Sequence, residues 1–245
     1  VSSLFIDHVL LLAHDEVHWA ARPRWPNGPL WQGREHGEAL GAVASLLERA
    51  PRSRLGYLER ARLLLGYPHV HYQLLPWQEG LYSDLDWQGF ALALFSQQGD
   101  LDPGRWQVAV DPAPFGQPRL AAAVSRDWLD ALKALLRAHR LPLGGCTPLL
   151  VDALRRHWRQ LPPDYRFAVH EAAAVSCLFG RQGRMEQVCV LSVAQRTALP
   201  EALLRIDVLC DVEERDTLIV APGPDPASPW RWLGPLHPWL AEQAR

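Results

Sequence analysis

Hydrophobic and polar positions fall into short blocks separated by Pro, Gly and charge, and each block has the rhythm of one element. "HVLLLA" (8–13) is a brief apolar run, "HDE" breaks it, and "VHWAARP" (17–23) alternates; together they predict a β-hairpin. The stretch 22–37, rich in Pro, Gly and Trp, reads as a loop. "GEALGAVASLLERA" then places Leu40, Val43, Leu46 and Leu47 on one helical face, and Pro51 ends it. "ARLLLGY" (61–67) and "HVHYQLL" (69–75) read as strands around Pro68. A helix over 83–100 follows, capped by Ser83, with Asp84 and Asp86 at its positive end and Phe90, Leu94 and Phe95 on one face. "RWQVAVD" and "RLAAAVS" are two further strands around the loop "PAPFGQP".

The second half is patterned in the same way. Ser125 caps a helix in which Trp128, Leu129, Leu132, Leu135, Leu136 and His139 recur at helical spacing. "RLPLGGC" is a break with a short strand, and Thr147-Pro148 supplies a cap and a first-turn proline for "LLVDALRRHW". "RFAVHEAAAVSCLF" reads as a hairpin split at Glu171, followed by strands in "MEQVCVLSV", "LLRIDVLCDV" and "TLIVAPG". Beyond Pro222 the composition turns to Pro and Trp, and "HPWLAEQAR" is a short polar helix or tail. Hairpin, strand, helix and strand recur loosely from about residue 1 and about residue 119, without visible identity between the copies.

Composition narrows the class. With 48% hydrophobic and 21% charged residues, a chain of 245 residues is an ordinary globular one, long enough for one large or two smaller domains. A net charge of −2 gives no electrostatic case for nucleic acid or anionic membrane as partner. No window approaches a spanning segment, and the apolar run at 9–13 is too short for a secretory signal, so a cytoplasmic protein without direct membrane insertion is expected. Cys146, Cys177, Cys189 and Cys210 form no Cys-x-x-Cys pair and are expected as buried, reduced thiols. The 11 tryptophans lie largely in loops and tails, where they pack loops down or anchor interfaces.

Catalytic motifs are absent from the chain. His69 and His71 share a strand face, but the next residue on that face is Gln73, a poor zinc ligand. His14 and His18 lie in a turn and a strand, so no helical face holds them together, and there is no His-Glu-x-x-His. No nucleophile elbow occurs; Ser125 and Ser176 read as a cap and a strand residue, and His170-Glu171 as an isolated acid beside a histidine. Neither phosphate-loop fingerprint appears, and Gly144-Gly145 reads as a structural turn. No catalytic residue, metal site or resident cofactor is therefore expected.

Between about 60 and 193 the element order and the phrases "LLPW", "LAAAV" and "TPLL" together resemble the actin-like assembly proteins of pilus and secretion machines, PilM and the cytoplasmic domain of GspL. The resemblance implies an α/β, actin/Hsp70/hexokinase-like architecture of two RNase H-like lobes, each with a mixed five-stranded sheet and helices. It divides the chain into 1–118 and 119–222, with 223–245 as a Pro/Trp-rich tail packing on the body. ATP-binding members of this fold place glycine turns at the first hairpin of each lobe and a glycine-rich adenosine loop, so that backbone can approach the phosphates. The corresponding positions here read Ala13-His14-Asp15-Glu16 and His170-Glu171-Ala172, without glycine, and only Gly223 remains of an adenosine loop. The resemblance with these departures implies lost or weak nucleotide binding. It implies a non-catalytic cytoplasmic scaffold that binds the cytoplasmic tail of an inner-membrane partner and is recruited to that membrane face. The rival is an Mg-ATP-dependent small-molecule kinase using Asp15 or Glu171. Leu74, Leu75, Pro76 and Trp77, which carry part of the resemblance, are expected to pack between strand and helix or to border the partner groove.

Overall fold

The computed structural model describes residues 5–241 apart from 26–27, 100–101, 195–197, 213–214 and 224–228. In chain order it opens with β1 (Phe5–Leu12), β2 (Glu16–Trp25), β3 (Trp31–His36), α1 (Ala39–Arg49) and β4 (Ala61–Leu65). Next come β5 (His71–Leu75), α2 (Asp84–Gly99), β6 (Trp106–Val110), β7 (Arg119–Ser125), α3 (Arg126–Ala138), β8 (Leu143–Pro148) and α4 (Leu149–His157). The last part contains β9 (Tyr165–His170), β10 (Ala174–Arg181), β11 (Arg184–Ser192), α5 (Leu199–Cys210), β12 (Thr217–Val220) and β13 (Arg231–Gly234).

Two five-stranded sheets share one topology, β3-β2-β1-β4-β8 and β11-β10-β9-β12-β13. In each, the first three strands pair antiparallel and the last three parallel. A helix follows the third strand in both, α1 in one and α5 in the other. The internal repeat is therefore real at the level of topology, but its second copy starts at β9. Because β7, α3 and β8 precede it, the boundary expected at 118/119 does not coincide with the change of sheet, which falls between Pro148 and Tyr165. Likewise, 223–245 is more than a tail, since β13 pairs in parallel with β12.

Central strand β1 is apolar on both faces because both are covered. Leu10 and Leu12 pack with Leu63, Leu65 and the α1 and α3 residues Val43, Leu46, Leu132 and Leu136. Val9 and Leu11 point the other way, into a cluster with Leu149, Leu150 and Leu154 of α4 and Phe167, Val169 and Leu218 of the second sheet. Thus α4 lies between the sheets and joins the lobes. The far face of the second sheet packs on Ala202, Leu203 and Ile206 of α5.

A third sheet, β5-β7-β6, is inserted between β4 and β8. One face is covered by α2 through Leu75, Ala121, Ala123, Trp87, Ala91 and Phe95. Ser83 holds the start of that helix by accepting the Asp86 N–H, and Ser125 caps α3 through the Trp128 N–H, as the sequence predicts.

Three local expectations change. Trp31–His36 is an edge strand where a loop is expected, and it alternates half-buried and exposed residues. Leu199–Cys210 is a helix where the apolar run suggests a strand, because Ala202, Leu203 and Ile206 supply its one buried face. Thr147 and Pro148 close β8, and α4 starts at Leu149 without a side-chain cap.

Candidate functional site

The first hairpin of each lobe ends at one cleft. Ala13 and Glu16 from the β1–β2 turn face His170, Glu171 and Ala172 from the β9–β10 turn across a cavity of about 220 Å³. Topologically equivalent turns thus meet where the resemblance places the phosphates. His14, by contrast, is exposed at the turn apex and stacks on Tyr67, and Asp15 beside it is half-buried; neither lines the cavity. Gly223 lines a separate, mostly apolar cavity of about 530 Å³ with Leu199, Pro200, Trp230 and Trp232, and His170 borders both.

Glu171 is the most perturbed side chain in the first cleft. It is only 4% exposed and accepts the Tyr67 N–H at Oε2, 3.0 Å away. Burial pushes its pKa up to about 8, with the Tyr67 hydrogen bond pulling weakly the other way, so the group is mostly neutral at pH 7. A carboxyl of the second lobe thereby sits against the backbone after β4 of the first. Gly66 makes the space: a Cβ there would lie 1.9 Å from Glu171 Oε2. The nearby Tyr72 hydroxyl accepts the Leu150 N–H at 3.2 Å, and burial, followed by the charge of Glu171, raises its pKa.

On the opposite wall Glu16 faces His18 at 3.1 Å and His36 at 3.9 Å, and it pairs with Arg34. The lining sets Glu16 and Glu171 beside Arg34, His18 and His170, and it contains no glycine turn of the kind that lets backbone approach a polyphosphate. Among the described residues, no group of three or more His, Cys, Asp or Glu could hold a metal ion.

His69, His71 and the cysteines have structural settings. His69 stacks on Trp128 at 4.6 Å and meets the Ala13 carbonyl at 3.1 Å; burial lowers its pKa. His71 lies edge-on to Trp106, and burial lowers its pKa as well. Cys177 is buried, Cys189 and Cys210 half-buried, and Cys146 is exposed, contrary to the expectation of four buried thiols. The cause is that β8 is the edge strand of the first sheet.

Leu75 is fully buried under α2, and Trp77 leans on Trp87 and Phe115 at 5.7 and 4.6 Å. Both side chains are engaged by packing. Leu74, half-buried, pairs with Leu120 of β7, and Pro76 is exposed at the end of β5. The opposite face of the same sheet is less covered. Gln107, Ala109, Ala122 and Val124 floor a mainly apolar cleft of about 80 Å³ against Leu65, Leu129, Cys146 and Pro148 of the first lobe. Beside it runs β6, the edge strand of its sheet. The sequence signal for this cleft is the run of alanines in "RLAAAVS", which leaves one sheet face low and open.

No family model matches the sequence, and no curated protein matches it. Solved structures do match in fold. The cytoplasmic domain of EpsL, an inner membrane component of the type II secretion system of Vibrio cholerae, superposes with a TM-score of 0.61 at 12% identity, covering 93% of this chain and 88% of that one. A Bacteroides thetaiotaomicron protein with actin-like ATPase fold and unknown function gives 0.60 at 9%, covering 92% and 84%. The PilM–PilN type IV pilus biogenesis complex gives 0.53 at 13%, covering 87% and 67%. The chain has the actin-like ATPase fold, in two lobes, and is similar in fold to the GspL and PilM proteins.

Proposed function

We propose that this protein is a non-catalytic cytoplasmic component of a secretion- or pilus-type assembly that accepts a segment of a membrane partner and has lost nucleotide binding. The observation that carries the reading is the pair of clefts. The one between the lobes is walled by Glu16 and by Glu171, which is seated on the Gly66-Tyr67 backbone, and it lacks glycine turns. The one beside β6 is open, apolar and bordered by a strand edge, which suits an extended segment adding main-chain hydrogen bonds. The similar folds of a secretion-system inner-membrane component and of a pilus biogenesis complex support the same setting.

The test is a variant that fills the second cleft. Ala109 is exposed on β6, so Ala109→Trp should fold normally. Its affinity for a labelled peptide of the cytoplasmic tail of a membrane protein that co-purifies with the wild-type chain should fall by about tenfold or more. Unchanged affinity in the folded variant would refute the assignment of the cleft.

A further inference from the structure

We infer that the outer tip of the inserted subdomain is a second docking surface, and that its occupant is a basic amphipathic helix of a partner protein. Strand pairing of Leu75 with Arg119 and of Val110 with Ala121 brings loops 76–83 and 111–118 to one end of the small sheet, where α2 also begins. Three large apolar side chains stand almost wholly in water there: Tyr82 at 86%, Leu85 at 78% and Phe115 at 85% exposure. They sit on a fixed base. Trp77 meets Phe115 edge-on at 4.6 Å, Trp87 donates from Nε1 to the Leu81 carbonyl, and Ser83 and Asp86 bind each other's polar groups. With Phe115 held by Trp77 and the backbone around Tyr82 and Leu85 fixed, such an exposed apolar patch favours a partner, since less order remains to be imposed on binding.

Charge identifies the partner's chemistry. From 63 to 104 the chain contains no Lys or Arg, and Glu79, Asp84 and Asp86 fall in the loop 76–83 and the first turn of α2, at the tip itself. Among the described residues, neither Glu79 nor Asp84 forms an ion pair. Two basic residues lie near the tip: Arg155 is neutralised by Asp111, and the Arg119 guanidinium lies over Trp87 at 4.4 Å, so three carboxylates face one remaining cation. An apolar patch with an acidic flank is complementary to a helix whose leucine stripe is bordered by Lys or Arg, and it repels an anionic bilayer.

The experiment titrates the whole chain with a synthetic helical peptide of about 18 residues, carrying leucine at i, i+3, i+4 and i+7 and lysine elsewhere. Binding with a Kd on the order of 10 μM, weakened several-fold between low and physiological salt, is expected. Tyr82→Ser/Phe115→Ser should weaken it by about tenfold at unchanged Tm. Leu204→Ser/Val208→Ser, on the exposed face of α5, should leave it unchanged. Were the aromatic double variant to misfold, Glu79→Gln/Asp84→Asn takes its place and should lose the salt dependence. No binding of the peptide, equal binding by the tip variants, equal binding of a glutamate-for-lysine peptide, or capture by anionic vesicles instead would each overturn the inference.

Discussion

At the scale of single residues, the packing of Glu171 on Gly66 sets the character of the cleft between the lobes. With a folded pKa near 8 against an ordinary value of 4.5, Glu171 binds more proton in the folded state than in the unfolded one between those values. Its contribution to stability is therefore full below about 4.5 and is lost as pH rises towards about 8. Glu171→Gln should remove up to about 1.4 kcal/mol per pH unit of that decline, read from urea unfolding at pH 6 and pH 8. A wild type no less stable at pH 8, relative to the variant, would contradict this. Gly66→Ala should cost about 1–3 kcal/mol, because the new methyl group meets the carboxyl. Much of that cost should vanish in a Glu171→Ala background, which a double-mutant cycle measures. Glu59 behaves in the opposite sense. Burial raises its pKa, but the nearby His8 imidazole at 3.7 Å and hydrogen bonds from Arg52 and the Ser53 N–H outweigh that and hold it at about 2. Its contribution is present above about 4.5 and lost as pH falls towards 2, so Glu59→Gln should flatten the acid limb of the stability curve.

At the scale of elements, legibility followed how one-sided the burial is. Helix α3, polar on one side and apolar on the other, was plain in the sequence, as was the β1–β2 hairpin. Helix α5 was not: Leu204, Val208 and Leu209 are 66–83% exposed, so the helical stripe is hidden within a run that reads as a strand. Strand β3 was hidden by Gly33 and by the Pro-rich residues before it, although its alternation is clear once α1 packs beside it. A substitution pair separates the readings of α5. Ile206→Ala should cost about 2–4 kcal/mol, while Val208→Lys should stay within about 0.5 kcal/mol. A strand buries alternate residues and would put both on one face; equal costs by thermal or urea denaturation would contradict the helix. The candidate site was half legible. Both hairpin turns could be located by their positions after apolar strands, but the cleft beside β6 depends on the long-range β5–β7 pairing and on how the inserted sheet packs on the first lobe, which no local pattern encodes.

For the whole molecule, two sheets of equal topology are held together by α4 and by the C-terminal segment. Arg156 donates to the carbonyls of Pro235 and Leu236, Gln32 donates to the Trp239 carbonyl at 2.6 Å, and Arg22 lies over the Trp239 ring at 5.7 Å. Segment 235–241 thus leaves the second sheet and straps the first. Trp239→Ala should lower stability by about 1–3 kcal/mol and increase amide exchange around Gln32. No loss of protection there would argue against the strap. Among the described residues, no helix is long and apolar enough to cross a membrane. The central claim is that an actin-like ATPase fold here serves recognition without nucleotide. Thermal unfolding with and without Mg-ATP tests it most directly. No shift at any attainable concentration is expected. Stabilisation approaching about 2.7 kcal/mol, as a ligand at a hundred times its Kd would give, would contradict it.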